Sequence, residues 1–426
     1  MAIAILVAGL LVGIPIAFAI LAALAFFLAT GDPPYHIRII ATEMFKGLNS
    51  YPLLAIPLFV LAGELMNESG ITRRIIAFAN VLVGGFRAGL AHVNIWASVI
   101  FAGLSGSAVA DTSAIGRVFI PEMVKHGYDR SFAAALTAAS SVIGPIIPPS
   151  IPVIIYALIV TGVSVPALFM AGVVPGLLLA VSLSIYVSLT VKVDTVSGEH
   201  GLSREGRFAA LLGGILPLLM PVFVVGSILL GVVTPTEAAS FAVGYALFIG
   251  LFVYRKLTLS ALPRIFTEAM RDSAVILIII AAVSAANWLL TYNRVPNMLT
   301  DWVLGNVDGK TTFLIAVIIL FLFVGLFLEG IAAMLVLVPI LHPIAVSLGI
   351  DPVHFGILVI FNLMIGLITP PLGLCLFVAE GIANVGMARL TRAILPFFFV
   401  EVLVLLILTF VPDTVTFLPR MLGYLE

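Results

Sequence analysis

The chain has 426 residues, of which 62% are hydrophobic and only 10% are charged, and its formal net charge is −1. This apolar share is far above that of a soluble domain, and apolar runs of membrane-spanning length recur from end to end. Alternating ten-residue segments of the β-barrel type are absent, so the sequence predicts an all-α polytopic membrane protein. The near-neutral charge does not indicate a nucleic-acid partner, and the single cysteine excludes an internal disulfide.

A series of apolar segments runs along the chain. The first, 2–28, has no basic leader and no small-residue cleavage site, so we interpret it as a retained helix rather than a signal peptide. Lysine and arginine near the segment ends place those ends in the cytoplasm and give the direction of each crossing. The segments are 2–28, 51–66, 88–124, 131–160, 167–191, 208–232, 238–254, 273–290, 311–345, 354–379 and 393–412.

Segment 88–124 has basic residues around both of its ends, so both ends are expected in the cytoplasm. Its centre, GLSGSAVADTSAIG, is small and polar and carries one carboxylate, Asp111. We therefore predict a re-entrant helical hairpin, because irregular backbone at membrane depth is tolerated only where protein or a cavity surrounds it. Two short spanning helices are the alternative. The basic residues are Arg73, Arg74, Arg87, Arg117, Lys125 and Arg130.

The polar stretch 192–207 is expected to be a cytoplasmic linker between two halves of the chain. When the direction of each later segment is assigned in turn, segment 311–345 is predicted to be a second hairpin that enters from the opposite side of the membrane. Two short spanning helices are again the alternative. Its tip would be GLFLEGIAAM, with Glu329 as the carboxylate. Amphipathic stretches at 33–50 and 256–272 are interpreted either as interfacial helices or as ordinary connectors.

An internal repeat relates the two halves at an offset of 222 residues. In the window 103–149 against 325–371, 13 of 47 positions are identical without a gap, and glycines and prolines coincide. The charge pattern gives segments 51–66 and 273–288 opposite directions, so we predict two inverted-topology repeats. Residues 1–191 form the first repeat, and residues 208–426 contain an extra helix, 208–232, followed by the second repeat.

Both repeats contain a helix with a double proline, in GPIIPPS within 131–160 and in GLITPPLG within 354–379. Proline removes a backbone donor and clashes with the preceding turn, so these segments are predicted to be broken helices. Freed carbonyls and half-helix C-termini bind cations, while the next half-helix N-terminus favours an anion, which is the pattern of a secondary transporter site. The predicted breaks are at Pro145, Pro148, Pro149, Pro370 and Pro371.

Two sodium sites are predicted where each hairpin tip faces a break. The first contains Ser105, Gly106, Ser107, Ser140, Ser141 and Gly144, and the second contains Gly325, Glu329, Gly330, Asn362, Gly366 and Thr369. A substrate carboxylate is expected near Ser105, Ser150, Asp111 and Glu329, with Ser150 at an N-cap position.

Structural roles are alternatives for several of these residues. Ser140 and Ser141 could instead bond their own helix backbone or a neighbouring helix. Asp111 and Glu329 do not align in the repeat, so at least one of them could have only a structural role, with its carboxylate fully hydrogen-bonded within the protein. Asp129 and Asp351 do align, and each is predicted to be an N-cap.

The sequence resembles the large membrane subunit of the tripartite ATP-independent periplasmic transporters. The resemblance covers essentially the full chain. It rests on AIPLFVLAGELMNESGITRRI (55–75), AGLSGSAVADTSAIG (102–116), AASSVIGPIIPPSI (138–151), PTEAASFAVGYA (235–246) and LGIDPVHFGILVIFNLMIGLITPPLG (348–373).

This resemblance implies sodium-driven uptake of a small organic acid, such as a dicarboxylate or sialic acid, across the bacterial inner membrane. It also implies a separate small subunit of four helices, a periplasmic substrate-binding protein, and elevator motion of a transport domain against a scaffold. The family's sodium sites match Ser105–Ser107 with Gly144, and Gly325–Gly330 with Gly366 and Thr369.

Two other functions are alternatives to this interpretation. A stand-alone ion or dicarboxylate carrier would share the inverted hairpins but need no capture protein. A membrane enzyme or scaffold subunit would show a polar catalytic cluster or lack polar residues at midplane. The six histidines have no ligand spacing, and metallopeptidase, nucleotide-binding and hydrolase motifs are absent, so no enzyme is predicted.

Overall fold

The structure is a computed structural model that describes residues 2–30, 38–191, 204–307, 309–326, 328, 330–370 and 373–425. Every regular element in these residues is helical. The helices before residue 192 are α1 (Ala2–Leu11), α2 (Ile16–Thr30), α3 (Arg38–Leu48), α4 (Ala55–Glu68), α5 (Ile71–Val83), α6 (Gly89–Ser105), α7 (Ala108–Lys125), α8 (Arg130–Ser141), α9 (Ile151–Ile159) and α10 (Val165–Thr190).

The helices after residue 203 form the second half. They are α11 (Arg204–Leu229), α12 (Pro235–Phe248), α13 (Leu262–Tyr292), α14 (Val295–Asn306), α15 (Gly309–Gly325), α16 (Gly330–Ser347), α17 (Pro352–Gly366), α18 (Leu374–Ala383), α19 (Met387–Phe410) and α20 (Asp413–Met421). A 3₁₀ turn at Tyr51–Leu54 precedes α4, and a π turn at Ile249–Val253 follows α12.

Six helices in the described residues are long and apolar enough to cross a membrane, namely α10, α11, α12 with its π turn, α13, α16 and α19. A seventh span results if α3 and residues 51–68, which are bent by 69° at their junction, form one segment. Large apolar side chains on these helices point outward, including Leu189, Leu219 and Phe399. Such a surface suits lipid rather than water. The prediction of an all-α polytopic membrane protein is therefore confirmed.

The prediction of one helix over 2–28 is wrong. The chain folds as α1 and α2, separated by a turn in which Gly13 has a φ of +86° and Pro15 precedes the first residue of α2. The two helices pack against each other, and a Cβ on Gly9 would lie 3.3 Å from the Cβ of Ala19. Proline removes a helix donor and glycine allows the left-handed turn, which explains the break.

The predicted helix breaks are confirmed at the double-proline sites. Helix α8 ends at Ser141 and α9 begins at Ile151, so Pro145, Pro148 and Pro149 lie between two helices. Helix α17 ends at Gly366 and α18 begins at Leu374, which places Pro370 in the second break. Pro371 lies outside the described residues. The tips are also breaks, since α6 ends at Ser105, three residues before Ala108, and α15 ends at Gly325, before α16 begins at Gly330.

The internal offset of 222 residues recurs in the helix boundaries. Helices α7, α8 and α10 begin at 108, 130 and 165, and helices α16, α17 and α19 begin at 330, 352 and 387. The broken segments also correspond, because α9 and α18 each follow a double proline. Each half thus carries the same order of helices around its break.

The connector predicted over 256–272 is not separate from the following span. From Leu262 onward it forms the single helix α13, which continues to Tyr292. No glycine or proline occurs between Pro263 and Tyr292, so nothing interrupts the backbone hydrogen bonds of this helix. In the first half, Gly47 and Pro52 lie near the junction of the corresponding elements, and there α3 and α4 remain separate. Helices α5, α14 and α20 were not predicted.

The two halves interlock through their short half-helices. Helix α9 packs on α16 and α17 of the other half, and α18 packs on α7 and α8. The hydroxyl of Tyr156 on α9, which is buried, donates to the Pro352 carbonyl at 2.9 Å. A Cβ on Gly116 of α7 would lie 3.1 Å from the Ile382 side chain of α18. The half-helix that follows each break therefore packs against helices of the opposite half.

Gly356 of α17 is predicted to be essential for this interlocking. A Cβ there would lie 2.5 Å from the buried Tyr156 ring, so Gly356→Ala should lower the apparent melting temperature in detergent, as expected for overpacking that costs about 1–3 kcal/mol. The matched control is Gly381→Ala in α18, where a Cβ would meet nothing within 4 Å. Equal melting temperatures for the two variants would contradict the packing of α9 on α17.

Candidate functional site

The first hairpin tip is the turn between α6 and α7. Gly106 occupies the left-handed region with a φ of +60°, and Ser107 caps α7 by accepting from the Ala110 N–H at 3.4 Å. The Ser107 N–H donates to the Ser105 hydroxyl oxygen at 3.2 Å. Serine and glycine are the residue types that such a tight turn and cap require, and they leave small side chains at the tip.

Asp111 lies in the first turn of α7, directly below this tip, and is 0% exposed. One carboxylate oxygen, Oδ1, accepts a hydrogen bond from the Ser105 hydroxyl. The other, Oδ2, has no hydrogen-bond partner among the described residues. An unpaired oxygen of a buried carboxylate is costly unless a cation, a proton or water completes it.

The unpaired oxygen of Asp111 faces the break between α8 and α9. A Cβ built on Gly144 would lie 2.1 Å from Asp111 Oδ2, so only glycine leaves space there. The tip touches the same break, because a Cβ on Gly106 would lie 3.1 Å from the Pro149 carbonyl oxygen. The structure thus brings together the tip, Asp111, Gly144 and the carbonyl of the double proline.

Ser140 and Ser141 make hydrogen bonds away from the tip. The Ser140 hydroxyl bonds with the Ser98 hydroxyl at 3.0 Å and with Asn94 Oδ1 at 3.3 Å, while Asn94 Nδ2 donates to the Thr137 hydroxyl at 2.8 Å. The Ser141 hydroxyl donates to the carbonyl of Thr137 at 2.7 Å. The bonds of Ser140 and Asn94 join α6 to α8, whereas the bond of Ser141 lies within α8. Both arrangements are the structural alternative considered for these serines. Sequence reasoning missed Asn94, although a polar residue in an apolar helix would have been a signal.

Ser150 caps α9, as its position predicted. Its hydroxyl accepts from the Val153 N–H at 3.3 Å and donates to the Pro145 carbonyl. The Ser150 hydroxyl therefore donates its hydrogen bond to a group inside the break. The predicted N-caps are confirmed as well, because Asp129 accepts from the Phe132 N–H at 2.9 Å and Asp351 accepts from the Val353 N–H at 2.8 Å.

The second tip also approaches its break. A Cβ on Gly325 would lie 3.1 Å from the Gly366 Cα, so two glycines allow the backbones to meet. Asn362 Nδ2 donates to the Ile318 carbonyl at 3.0 Å, and its buried Oδ1 has no partner among the described residues. The Thr369 hydroxyl donates to the Ile365 carbonyl at 2.7 Å. Gly330 also packs on α17, where a Cβ would lie 3.5 Å from Leu363 Cβ. Glu329 lies outside the described residues.

A cavity of about 500 Å³ runs along α7 beside the first tip, a feature that sequence reasoning missed. One face of α7 lines it, with residues at helical spacing from Ala110 through Ser113 to Arg117. Glu64 of α4 also lines this cavity.

A second cavity of about 400 Å³ lies between α3, α9, α13 and α16. In the repeat, α16 corresponds to α7, so each half has a cavity beside its hairpin.

Comparison with known proteins places this architecture among transporters. The family model described as "Tripartite ATP-independent periplasmic transporter, DctM component" matches residues 2–414. The sialic acid TRAP transporter large permease protein SiaM of Vibrio cholerae is 41% identical over 417 residues, which is 97% of each chain. The C4-dicarboxylate TRAP transporter large permease protein DctM of Pseudomonas aeruginosa is 38% identical over 92% of this chain and 91% of its own.

A solved structure has the same fold. The YdaH transporter of Alcanivorax borkumensis matches with a TM-score of 0.63 over 92% of this chain and 96% of its own. Its sequence identity is 14%, so this similarity concerns the fold alone.

The fit between Asp111 and Gly144 generates a prediction for stability. Gly144→Ala should lower the apparent melting temperature, because the new methyl group would collide with the Asp111 carboxylate. In an Asp111→Ala background the same substitution should cost much less, since the colliding oxygen is gone. An equal loss in both backgrounds would show that Gly144 does not pack on Asp111, as a double-mutant cycle measures.

Proposed function

The chain belongs to the DctM-component family of the tripartite ATP-independent periplasmic transporters, and on this premise we propose that it takes up a small organic acid in symport with sodium. The relatives described above are named for sialic acid and for C4-dicarboxylates, which are all carboxylates at neutral pH. They are permeases, and we propose the same role for this chain in the inner membrane of a bacterium.

The observation that supports sodium coupling is the buried Asp111 carboxylate with one unpaired oxygen. A sodium ion next to Oδ2 would neutralise the carboxylate, and Ser105, Ser107 and backbone carbonyls at the break offer the neutral oxygens that unwound helices supply to sodium in transporters. Gly144 keeps the space free. Asp111 and Gly144 are therefore the centre of the proposed first site, and Ser140 joins α6 to α8 beside it.

We propose the second sodium site because the repeat relates its residues to those of the first site. It would use the Gly325–Gly330 tip with Asn362, Gly366 and Thr369. The unpaired Asn362 Oδ1 and the close approach of Gly325 to Gly366 support it. The substrate carboxylate would lie between the two tips, near Ser105, Ser150 and Glu329, with the N-terminus of α9 providing partial positive charge.

Transport is proposed to occur by an elevator-type movement of the hairpins and broken helices against a scaffold. The scaffold would comprise segments 2–28, 51–66, 208–232 and 238–290, and the two repeats would have inverted topology. The cavities beside α7 and α16 support this proposal, because one cavity beside each hairpin suits alternating access from the two sides of the membrane.

Two protein partners are proposed. One is a small membrane subunit of four helices, and the other is a periplasmic protein that captures the substrate and delivers it. The support is the family's description as tripartite, of which the DctM component is one part.

Sodium coupling predicts a specific transport phenotype. In liposomes that contain the chain and both partners, replacing external sodium with potassium should abolish uptake of the organic acid. Ser105→Ala and Thr369→Ala should each raise the sodium concentration for half-maximal uptake by about tenfold, since a hydrogen bond to a charged group contributes roughly 1.5 kcal/mol or more.

The matched control is Thr267→Ala on the exposed face of α13. Its hydroxyl donates to the carbonyl four residues before it, as that of Thr369 does. Uptake that continues undiminished in potassium would refute the coupling, and unchanged sodium dependence in both site variants would place the sites elsewhere.

The partner proposal is tested by omitting the capture protein. Uptake into liposomes at micromolar substrate should then fall to background and should return when the purified capture protein is added. Transport at full rate without it would instead support a stand-alone carrier of dicarboxylates or ions.

A further inference from the structure

A second buried carboxyl group is not among the residues of the proposed sodium sites. Glu401 is in the middle of α19 and is 0% exposed. Neither of its carboxyl oxygens has a hydrogen-bond partner among the described residues. It is also the single charged residue between Arg392 and Asp413. Nothing in the proposed uptake mechanism uses it.

The helices that pack most closely on α19 are α8, α10, α17, α18 and α20. One of their titratable groups, the buried Cys375 thiol of α18, lies close enough to both Asp111 and Glu401 for electrostatic interaction. The others in the described residues contact groups other than the Glu401 carboxyl. These are Arg130 with the Ala383 carbonyl, Tyr186 against the Phe397 ring, His354 with the Leu408 carbonyl, Glu380 with the Gly386 N–H, and Asp413 with Arg420.

Helix α19 itself supplies no counter-charge. Its two arginines, Arg389 and Arg392, lie in the first turns. Arg392 is nine residues before Glu401, which is about 13 Å along a helix. An ionised Glu401 would therefore be an isolated charge inside the protein, and the free-energy cost of such a charge is many kcal/mol.

The repeat shows that packing alone does not require a carboxyl group at this position. At the offset of 222 residues, Glu401 corresponds to Leu179 of α10, which is also 0% exposed. The matching helix in the first half thus fills the same place with an apolar side chain of similar size. A carboxyl group that the packing does not need, without an ionic partner, indicates a function of its own.

We propose that Glu401 is an exchangeable proton-binding site in the membrane interior. A proton suits this place better than a metal ion, because the carboxyl group alone can hold it and no other oxygen ligand hydrogen-bonds there in the described residues. The carboxylate takes up one proton from water to become a neutral acid and returns it to water on release. The site shares no residue with the proposed sodium sites.

Infrared spectroscopy of the purified chain in nanodiscs tests the proposal. Wild type minus Glu401→Gln should show, at neutral pH, the carbonyl band of one protonated carboxylic acid, and this band should shift after transfer to D₂O. The matched control is Glu380→Gln of α18, whose carboxylate accepts from the Gly386 N–H and which should lose no such band. If Glu401→Gln fails to fold, Glu401→Leu replaces it, because Leu179 shows that leucine fits the corresponding place.

Two results would overturn the proposal. If no carbonyl band is lost, Glu401 is ionised and must have a partner that the structure lacks. If the band is lost but does not shift in D₂O over days, Glu401 is a permanently protonated structural group. Neither result bears on sodium coupling, which is measured by ion replacement during uptake.

Discussion

Backbone groups inside a bilayer must find their hydrogen-bond partners within the protein, and the rest of this structure depends on that constraint. Residues 142–150 leave the helix, yet nearly all of them are buried. Their bonds are short-range, such as the Gly144 N–H to the Ser141 carbonyl at 3.1 Å. The hairpin tip and Ser150 supply further contacts. Irregular backbone can exist here because the hairpins enclose it, and the proposed sodium site uses this same backbone.

The helix breaks and N-caps could be predicted from the sequence because they depend on local chemistry. A double proline ends a helix wherever it occurs, and aspartate or serine before a helix start becomes a cap. The repeat added a second, independent signal, since glycines and prolines recur at one spacing. Asp111 and Gly144 were identified separately by the same reasoning, as a carboxylate at a tip and a glycine at a break.

Other features depended on contacts between distant parts of the chain and could not be predicted. The sequence does not tell whether the Ser140 hydroxyl points to the tip or to Asn94, because both are polar neighbours in three dimensions. The fit of Gly144 against Asp111 depends on tertiary packing. The division of 2–28 into α1 and α2 could have been predicted from Gly13 and Pro15. The prediction of a single helix was instead based on the apolar composition of the segment.

The exchange of half-helices between the two halves has a mechanical consequence. Since α9 rests on the second half and α18 on the first, neither hairpin with its break forms a complete rigid unit by itself. In the proposed elevator-type movement the two tips would move together, because α9 packs on α16 and α18 packs on α7. Both proposed sodium sites would then move together in a single body. Their occupancies could be coupled through that shared movement, without a chain of contacts leading from one to the other.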